Sequence, residues 1–78
     1  MTYDEQIEKD VYIELIDSAI AKLTRKLIEA DDNTSKILNE YRFELIYFLK
    51  EFRFSSNPDN IKIAKEKLER INVFLKTQ

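Results

Sequence analysis

The 78-residue sequence contains no cysteine, no histidine, no glycine and one proline. Because it has no cysteine, neither a disulfide nor a thiolate metal ligand can stabilise a chain that is about half the usual size of a domain. Because it has no histidine, it lacks the most common general base and a frequent metal ligand. From these absences we predict a protein that is not an enzyme, binds no metal or cofactor, and is stabilised by apolar packing.

The absence of glycine also bears on the fold. Tight strand hairpins, phosphate-binding loops and dinucleotide-binding turns rely on glycine, because it adopts positive φ without strain. At an average usage of about 7%, a chain of this length would contain about five glycines. We therefore expect neither a β-rich fold nor a nucleotide-binding site, and we infer no small-molecule substrate.

Long apolar runs are absent too. The longest, Leu45 to Leu49, is much shorter than the roughly 20 residues that a membrane-spanning helix needs. The first residues, Met1 to Glu5, are acidic, whereas a secretory leader begins with basic and then apolar residues. We therefore expect a single domain, residues 1–78, in the cytoplasm and with no membrane partner.

Apolar residues recur at alternating steps of three and four in three segments, which is the spacing of one face of an α-helix. The three rows are Ile13, Ile16, Ile20, Leu23 and Leu27; Leu38, Tyr41, Leu45, Phe48 and Phe52; and Ile61, Ala64, Leu68, Ile71 and Leu75. A second row in the first segment, formed by Ile7, Val11, Leu15 and Ala19, predicts a wide buried stripe near its start.

Capping residues mark the helix boundaries. Thr2 followed by Glu5 has the pattern of a capping box, and Asn57 before Pro58 predicts a helix that starts at Pro58. We predict an all-α, three-helix antiparallel (up-down-up) bundle with helices at about 3–30, 35–54 and 58–76, because short connections make neighbouring helices antiparallel. In an alternative arrangement, the first two helices form a hairpin that pairs with a second copy.

Carboxylates remain as candidate catalytic acids or bases. They occur in two groups at helical spacing: Glu40 with Glu44, and Asp10 with Glu14 and Asp17. Acid or base catalysis would require one of them to be buried with a shifted pKa. We interpret both groups as solvated helix faces. The acidic first half of the first helix could also steer a basic partner towards the protein.

The last third of the chain is the most basic part. Its basic residues are Lys62, Lys65, Lys67, Arg70 and Lys76, interrupted by Asp59, Glu66 and Glu69. Nucleic-acid binding generally needs a cluster of cations that acids do not offset, and the formal net charge of the chain is −2. We do not expect a nucleic-acid partner. A small helical DNA-binding regulator that uses this face of helix 3 is the alternative function.

Aromatic residues are concentrated in the second predicted helix, where six of the nine fall within residues 41–54. Tyr41, Leu45, Phe48 and Phe52 fit the row that faces the other helices. Phe43, Tyr47 and Phe54 fall outside that row and would form a ridge that points away from the core. Exposed aromatic patches often mark interfaces. We predict a partner-binding surface at Phe43, Tyr47 and Phe54 with Lys50 and Arg53. In the alternative, helix 2 is the central helix, packed between helices 1 and 3, and all of its aromatic side chains are buried in the core.

The sequence thus predicts a small non-enzymatic helical protein that binds another protein, or a second copy of itself as a homodimer. A helix, the turn at Ser55 to Pro58 and a further helix resemble the layout of type III secretion needle subunits and their helical chaperones. Bacteriocin immunity proteins and small phage inhibitors are similar in size and helical composition. These resemblances imply an inhibitor, immunity, chaperone or adaptor role in a bacterium or phage, and they assign no role to any single residue.

Overall fold

The computed structural model describes residues 1–77, which form three α-helices. They are α1 (Tyr3–Leu27), α2 (Asp32–Phe52) and α3 (Asp59–Lys76), and no strand occurs in the described range. The bundle is 44 Å long and 20 by 16 Å across. α1 packs against both of the other helices. The prediction of an all-α three-helix bundle is confirmed.

Side-chain contacts give the relative direction of α1 and α2. The ammonium group of Lys9, near the start of α1, contacts the backbone of Arg53, just past the end of α2. Near the other end of α1, the Thr24 hydroxyl accepts a hydrogen bond from Arg42 on α2. The start of α1 therefore lies beside the end of α2, so the two helices are antiparallel, as short connections require.

The start of α1 and the end of α3 lie where they were predicted, and the other four helix boundaries differ from the predicted ones by one to three residues. α2 begins at Asp32, because the preceding Asp31 caps it: its carboxylate accepts a hydrogen bond from the amide of Thr34 at 2.7 Å. The polar residues 32–34, which precede the predicted start of the helix at residue 35, therefore belong to the first turn of α2. α3 begins at Asp59, one residue after the predicted start, and Pro58 is its N-cap residue, with no side-chain capping bond. In the turn before it, the side-chain carbonyl of Asn57 accepts a hydrogen bond from the amide of Asp59 at 3.0 Å.

The core consists mainly of residues from the three predicted apolar rows, joined by Ala19 and Leu49. Its buried members are Ile16, Ala19, Leu23, Leu38, Leu45, Leu49, Phe52, Ile61, Ala64, Leu68 and Ile71. Tyr41 and Phe48, which we predicted to lie in the seam of helix 2, are half-buried at its edge, where Tyr41 packs on Phe74 of α3 with ring centroids 4.9 Å apart. Leu49 takes a place in the core instead.

The prediction of a wide buried stripe at the start of α1 is wrong. Ile7, Val11 and Leu15 are each about half exposed, and of that row only Ala19 is buried. Residues four apart advance about 40° around a helix axis, so a row of this kind turns gradually away from the face that the other helices cover. In addition, the first buried residue of α1 is Lys9, so the first two turns contribute no apolar core residue.

No helix within residues 1–77 combines the length and apolar character required to cross a membrane.

Truncation of the core should destabilise the bundle strongly. Leu45 is fully buried, so Leu45→Ala should lower the free energy of unfolding by about 2–5 kcal/mol, through lost apolar burial and the cavity that remains. Urea unfolding followed by far-UV circular dichroism measures this change. The control is Ile28→Ala, at a position that is 82% exposed, where we expect a change within about 0.5 kcal/mol. Similar losses for both variants would contradict the assignment of the core.

Candidate functional site

The outer face of α2 carries the aromatic residues that the sequence left unassigned. The side chains of Phe43, Tyr47 and Phe54 are 51%, 68% and 88% exposed, and we call these three residues the aromatic ridge. Phe43 and Tyr47 are one helical turn apart and lie on the side of α2 opposite Leu45, which is fully buried. Phe43 and Tyr47 therefore form one exposed apolar patch, and Phe54 follows about two turns later, beyond the exposed Lys50 and Glu51.

Phe54 lies beyond the last residue of α2, but the chain there is still ordered by backbone hydrogen bonds. The amide of Phe54 donates to the carbonyl of Glu51 at 3.2 Å, and the amide of Ser55 donates to the carbonyl of Phe52 at 3.2 Å. These bonds continue the helical turn for two residues past Phe52. As a result, Phe54 remains on the outer face, almost fully exposed to solvent.

The two predicted basic members of the site lie in different places. Lys50 is exposed on α2, between Tyr47 and Phe54 in the sequence. The guanidinium of Arg53 instead points towards α1, where Nη2 lies 3.5 Å from Oδ2 of Asp17. Both of these side chains are about half exposed, so the ion pair contributes little to stability. Of the five predicted residues, Arg53 is the one that the structure directs away from the ridge.

Lys9 holds the end of α2 in place, and no sequence motif indicates this role directly. Its ammonium donates hydrogen bonds to the carbonyl of Arg53 at 2.9 Å and to that of Ser55 at 2.8 Å, and it lies 6.0 Å from the ring centroid of Phe52. The residue is only 6% exposed. One signal was present in the sequence, because Lys9 precedes Ile16 by seven residues and therefore lies on the buried face of α1.

A second polar contact joins α2 to α3. The carboxylate of Glu44 accepts a hydrogen bond from Lys67 at 2.9 Å and another from Arg70. The same two cations lie over aromatic rings of α2: Lys67 is 5.5 Å from the ring centroid of Phe48, and Arg70 is 6.0 Å from that of Tyr41. Two of the five basic side chains that we considered for nucleic-acid binding are thus paired within the bundle.

These contacts set the pKa of Glu44. Burial acts to raise it, but the hydrogen bonds from Lys67 and Arg70 and their positive charges outweigh that effect, so the pKa of the carboxyl lies below its ordinary value of 4.5. The pKa of Asp31 is lowered as well, because its carboxylate accepts the amide hydrogen bond of Thr34. Both carboxylates therefore carry structural contacts in their ionised form.

The described residues show no arrangement that points to a metal ion. In residues 1–77, no three acidic side chains come close enough together to coordinate one. In the same range, every buried side-chain nitrogen or oxygen has a hydrogen-bond partner, so no orphaned polar atom marks a ligand site. What the candidate site offers is a surface of aromatic rings next to a lysine.

Comparisons with models of known protein families, with curated proteins and with solved structures found no significant match to this chain.

Loss of the Lys9 ammonium should loosen the end of α2. Lys9→Met keeps the length of the side chain but removes the donor to two carbonyls, and we expect a loss of about 2 kcal/mol in the free energy of unfolding, as is typical of hydrogen bonds to a charged group. Urea unfolding measures this loss. The control is Lys36→Met on the exposed part of α2, which should be close to neutral. If Lys9→Met proved as stable as the unmodified protein, the ammonium would not hold α2 in place.

The Glu44 contact predicts a specific dependence on pH. A carboxyl whose pKa is lower in the folded chain stabilises the fold above its unfolded pKa, and that stabilisation is lost as the pH falls through the folded pKa. The difference in unfolding free energy between the unmodified protein and Glu44→Gln should therefore be largest near neutral pH and should shrink below pH 4.5. The control is Glu40→Gln, which removes an exposed carboxylate one turn earlier. An equal difference for Glu44→Gln at neutral and acidic pH would contradict this account.

Proposed function

We propose that this protein acts in the cytoplasm by binding another protein through the aromatic ridge, without catalysing a reaction. The observation that supports this proposal is the exposure of Phe43, Tyr47 and Phe54 on one helix face, by 51%, 68% and 88%. Three large aromatic side chains exposed on one helix face are uncommon on a monomeric protein, because covering them removes apolar area from water at about 25 cal/mol per Å².

The composition of the ridge fits an interface centre. Phenylalanine and tyrosine contribute large, stiff apolar groups, and tyrosine adds a hydroxyl that can bond to a partner at the edge of the contact. Lys50 lies between Tyr47 and Phe54 in the sequence and is exposed, so it is suited to the polar rim that surrounds such a centre. The partner is either a different protein or a second copy of this chain. A bacterial or phage inhibitor, immunity protein, chaperone or adaptor would use a surface of this kind.

A double substitution on the ridge separates binding from folding. Phe43→Ala with Tyr47→Ala removes two exposed rings, so we expect the free energy of unfolding to change by less than about 1 kcal/mol. Association should weaken at least about tenfold, because central aromatic residues contribute much of the free energy of binding. Light scattering after size exclusion measures self-association. Capture from source cells, followed by titration of the captured protein, measures association with a different partner.

The matched control is Ile28→Ala with Val73→Ala, two exposed apolar side chains that lie outside α2. This variant should bind as the unmodified protein does, which would show that the effect belongs to the ridge and not to general loss of apolar surface. The proposal is overturned if the Phe43 and Tyr47 variant keeps both its oligomeric state and its captured partner. It is also overturned if that variant unfolds as easily as a core truncation does, since the two rings would then belong to the core.

A further inference from the structure

A second apolar surface runs along the outside of α1. Tyr3, Ile7, Val11 and Leu15 follow one another at steps of four, and their side chains are 80%, 46%, 48% and 47% exposed. We call these four residues the α1 stripe. Side chains four apart are neighbours on a helix, so the stripe is a continuous row about 18 Å long. It belongs to a different helix from the aromatic ridge.

The stripe leads into a groove between α1 and α3. Leu15, its last member, lines this groove together with Tyr12, Ala19 and Leu68, and the groove has a volume of about 250 Å³. Leu15, Ala19 and Leu68 are aliphatic, and Tyr12 adds an aromatic wall. The rest of the lining is polar: Ser18, Lys22, Lys65, Glu69 and Asn72. An apolar side chain that follows the stripe would therefore have a recess to enter at its inner end.

Acidic side chains lie on both sides of the stripe. By helical geometry, Asp4 and Glu8 lie along one side, and Asp10 and Glu14 along the other. All four are exposed. The nearest base in the sequence, Lys9, is buried and donates its hydrogen bonds to the end of α2. No basic side chain of α1 is therefore exposed between Thr2 and Ser18, so the charges that border the stripe are all negative. The groove at its inner end differs, because Lys22 and Lys65 line it together with Glu69.

We propose that the α1 stripe and the adjoining groove bind an amphipathic helix of a partner protein, with apolar side chains along its centre and basic side chains on either flank. The apolar row of the partner would lie along Ile7 and Val11 and reach the groove at Leu15. Its cations would face the carboxylates that border the stripe, which raises the rate of encounter and fixes orientation. A helix suits the site because the row spans about 18 Å, or about three helical turns, and side chains at steps of four form the inclined ridges that pack into the grooves of a second helix.

This proposal does not rest on the function proposed for α2, because the two surfaces share no residue. A protein with both surfaces could hold two partners at once. The second partner is identified by its chemistry, as a cationic amphipathic segment.

The test uses a labelled synthetic peptide of leucine and lysine, about 18 residues long, with the leucines on one helix face. A second peptide has the same composition, with the leucines scattered around the helix. Fluorescence anisotropy should show saturable binding of the first peptide that weakens as salt rises, and at least about tenfold weaker binding of the second. Amide chemical-shift changes should be concentrated in residues 3–18 and 65–72.

Two pairs of variants distinguish the apolar and the electrostatic parts. Ile7→Ser with Val11→Ser should weaken binding by about tenfold or more, and because both side chains are already half exposed the fold should be retained. Glu8→Gln with Glu14→Gln should weaken binding at low salt. Its matched control, Glu40→Gln with Glu51→Gln, makes the same charge change on α2 and should bind within about twofold of the unmodified protein.

Equal binding of both peptides, or equal weakening by the two glutamine pairs, would mean attraction to net charge alone and would overturn the proposal. So would unchanged binding by the variant with serine at positions 7 and 11. If the protein instead dimerises, and those serines abolish the dimer while the peptide fails to bind, the stripe is an interface between copies and the proposal is wrong. The variant Phe43→Ala with Tyr47→Ala should bind the peptide normally, which keeps this test separate from that of the aromatic ridge.

Discussion

The buried face of α1 is the constraint on which the bundle depends, because both of the other helices pack against it. Ile16 and Leu23 on that face are completely buried, and they join core residues of α2 and α3. Three helices cannot cover one another on more than one side each, so every helix keeps an outer face. In most small bundles that outer face is polar. Here the outer faces of α1 and α2 both carry apolar rows, and it is this departure that gives the protein candidate binding surfaces.

The core could be predicted from the sequence because the residues on the buried face of a helix recur every three or four positions. The residues at alternating steps of three and four include nearly all of the buried side chains, and Thr2 caps α1 through the predicted box with Glu5. The exposure of the aromatic ridge also follows from spacing, since Phe43 and Tyr47 fall opposite the buried Leu45.

Other features could not be predicted, because they depend on contacts between distant parts of the chain. The spacing of Ile7, Val11 and Leu15 predicts that they share one face of α1. Burial of that face depends on how far the neighbouring helices extend over it, and here they leave it about half exposed. In the sequence, Lys9 is the one base in the acidic first half of α1, and its role depends on the end of α2, which lies beside it only in the folded bundle. The pairing of Glu44 with two cations of α3 likewise depends on the register between two helices.

The capping of α2 by Lys9 follows from the composition of the chain. Helices commonly end in a glycine with positive φ, which lets the backbone satisfy its last carbonyls locally. No residue in 1–77 has positive φ, and Arg53 at the end of α2 keeps a helical conformation. Two carbonyls near this end are instead satisfied by an ammonium that lies 44 and 46 residues earlier in the sequence. The turn between α2 and α3 therefore acquires these bonds only after the first helix has docked, which makes the turn part of a single cooperative folding unit rather than a local hairpin.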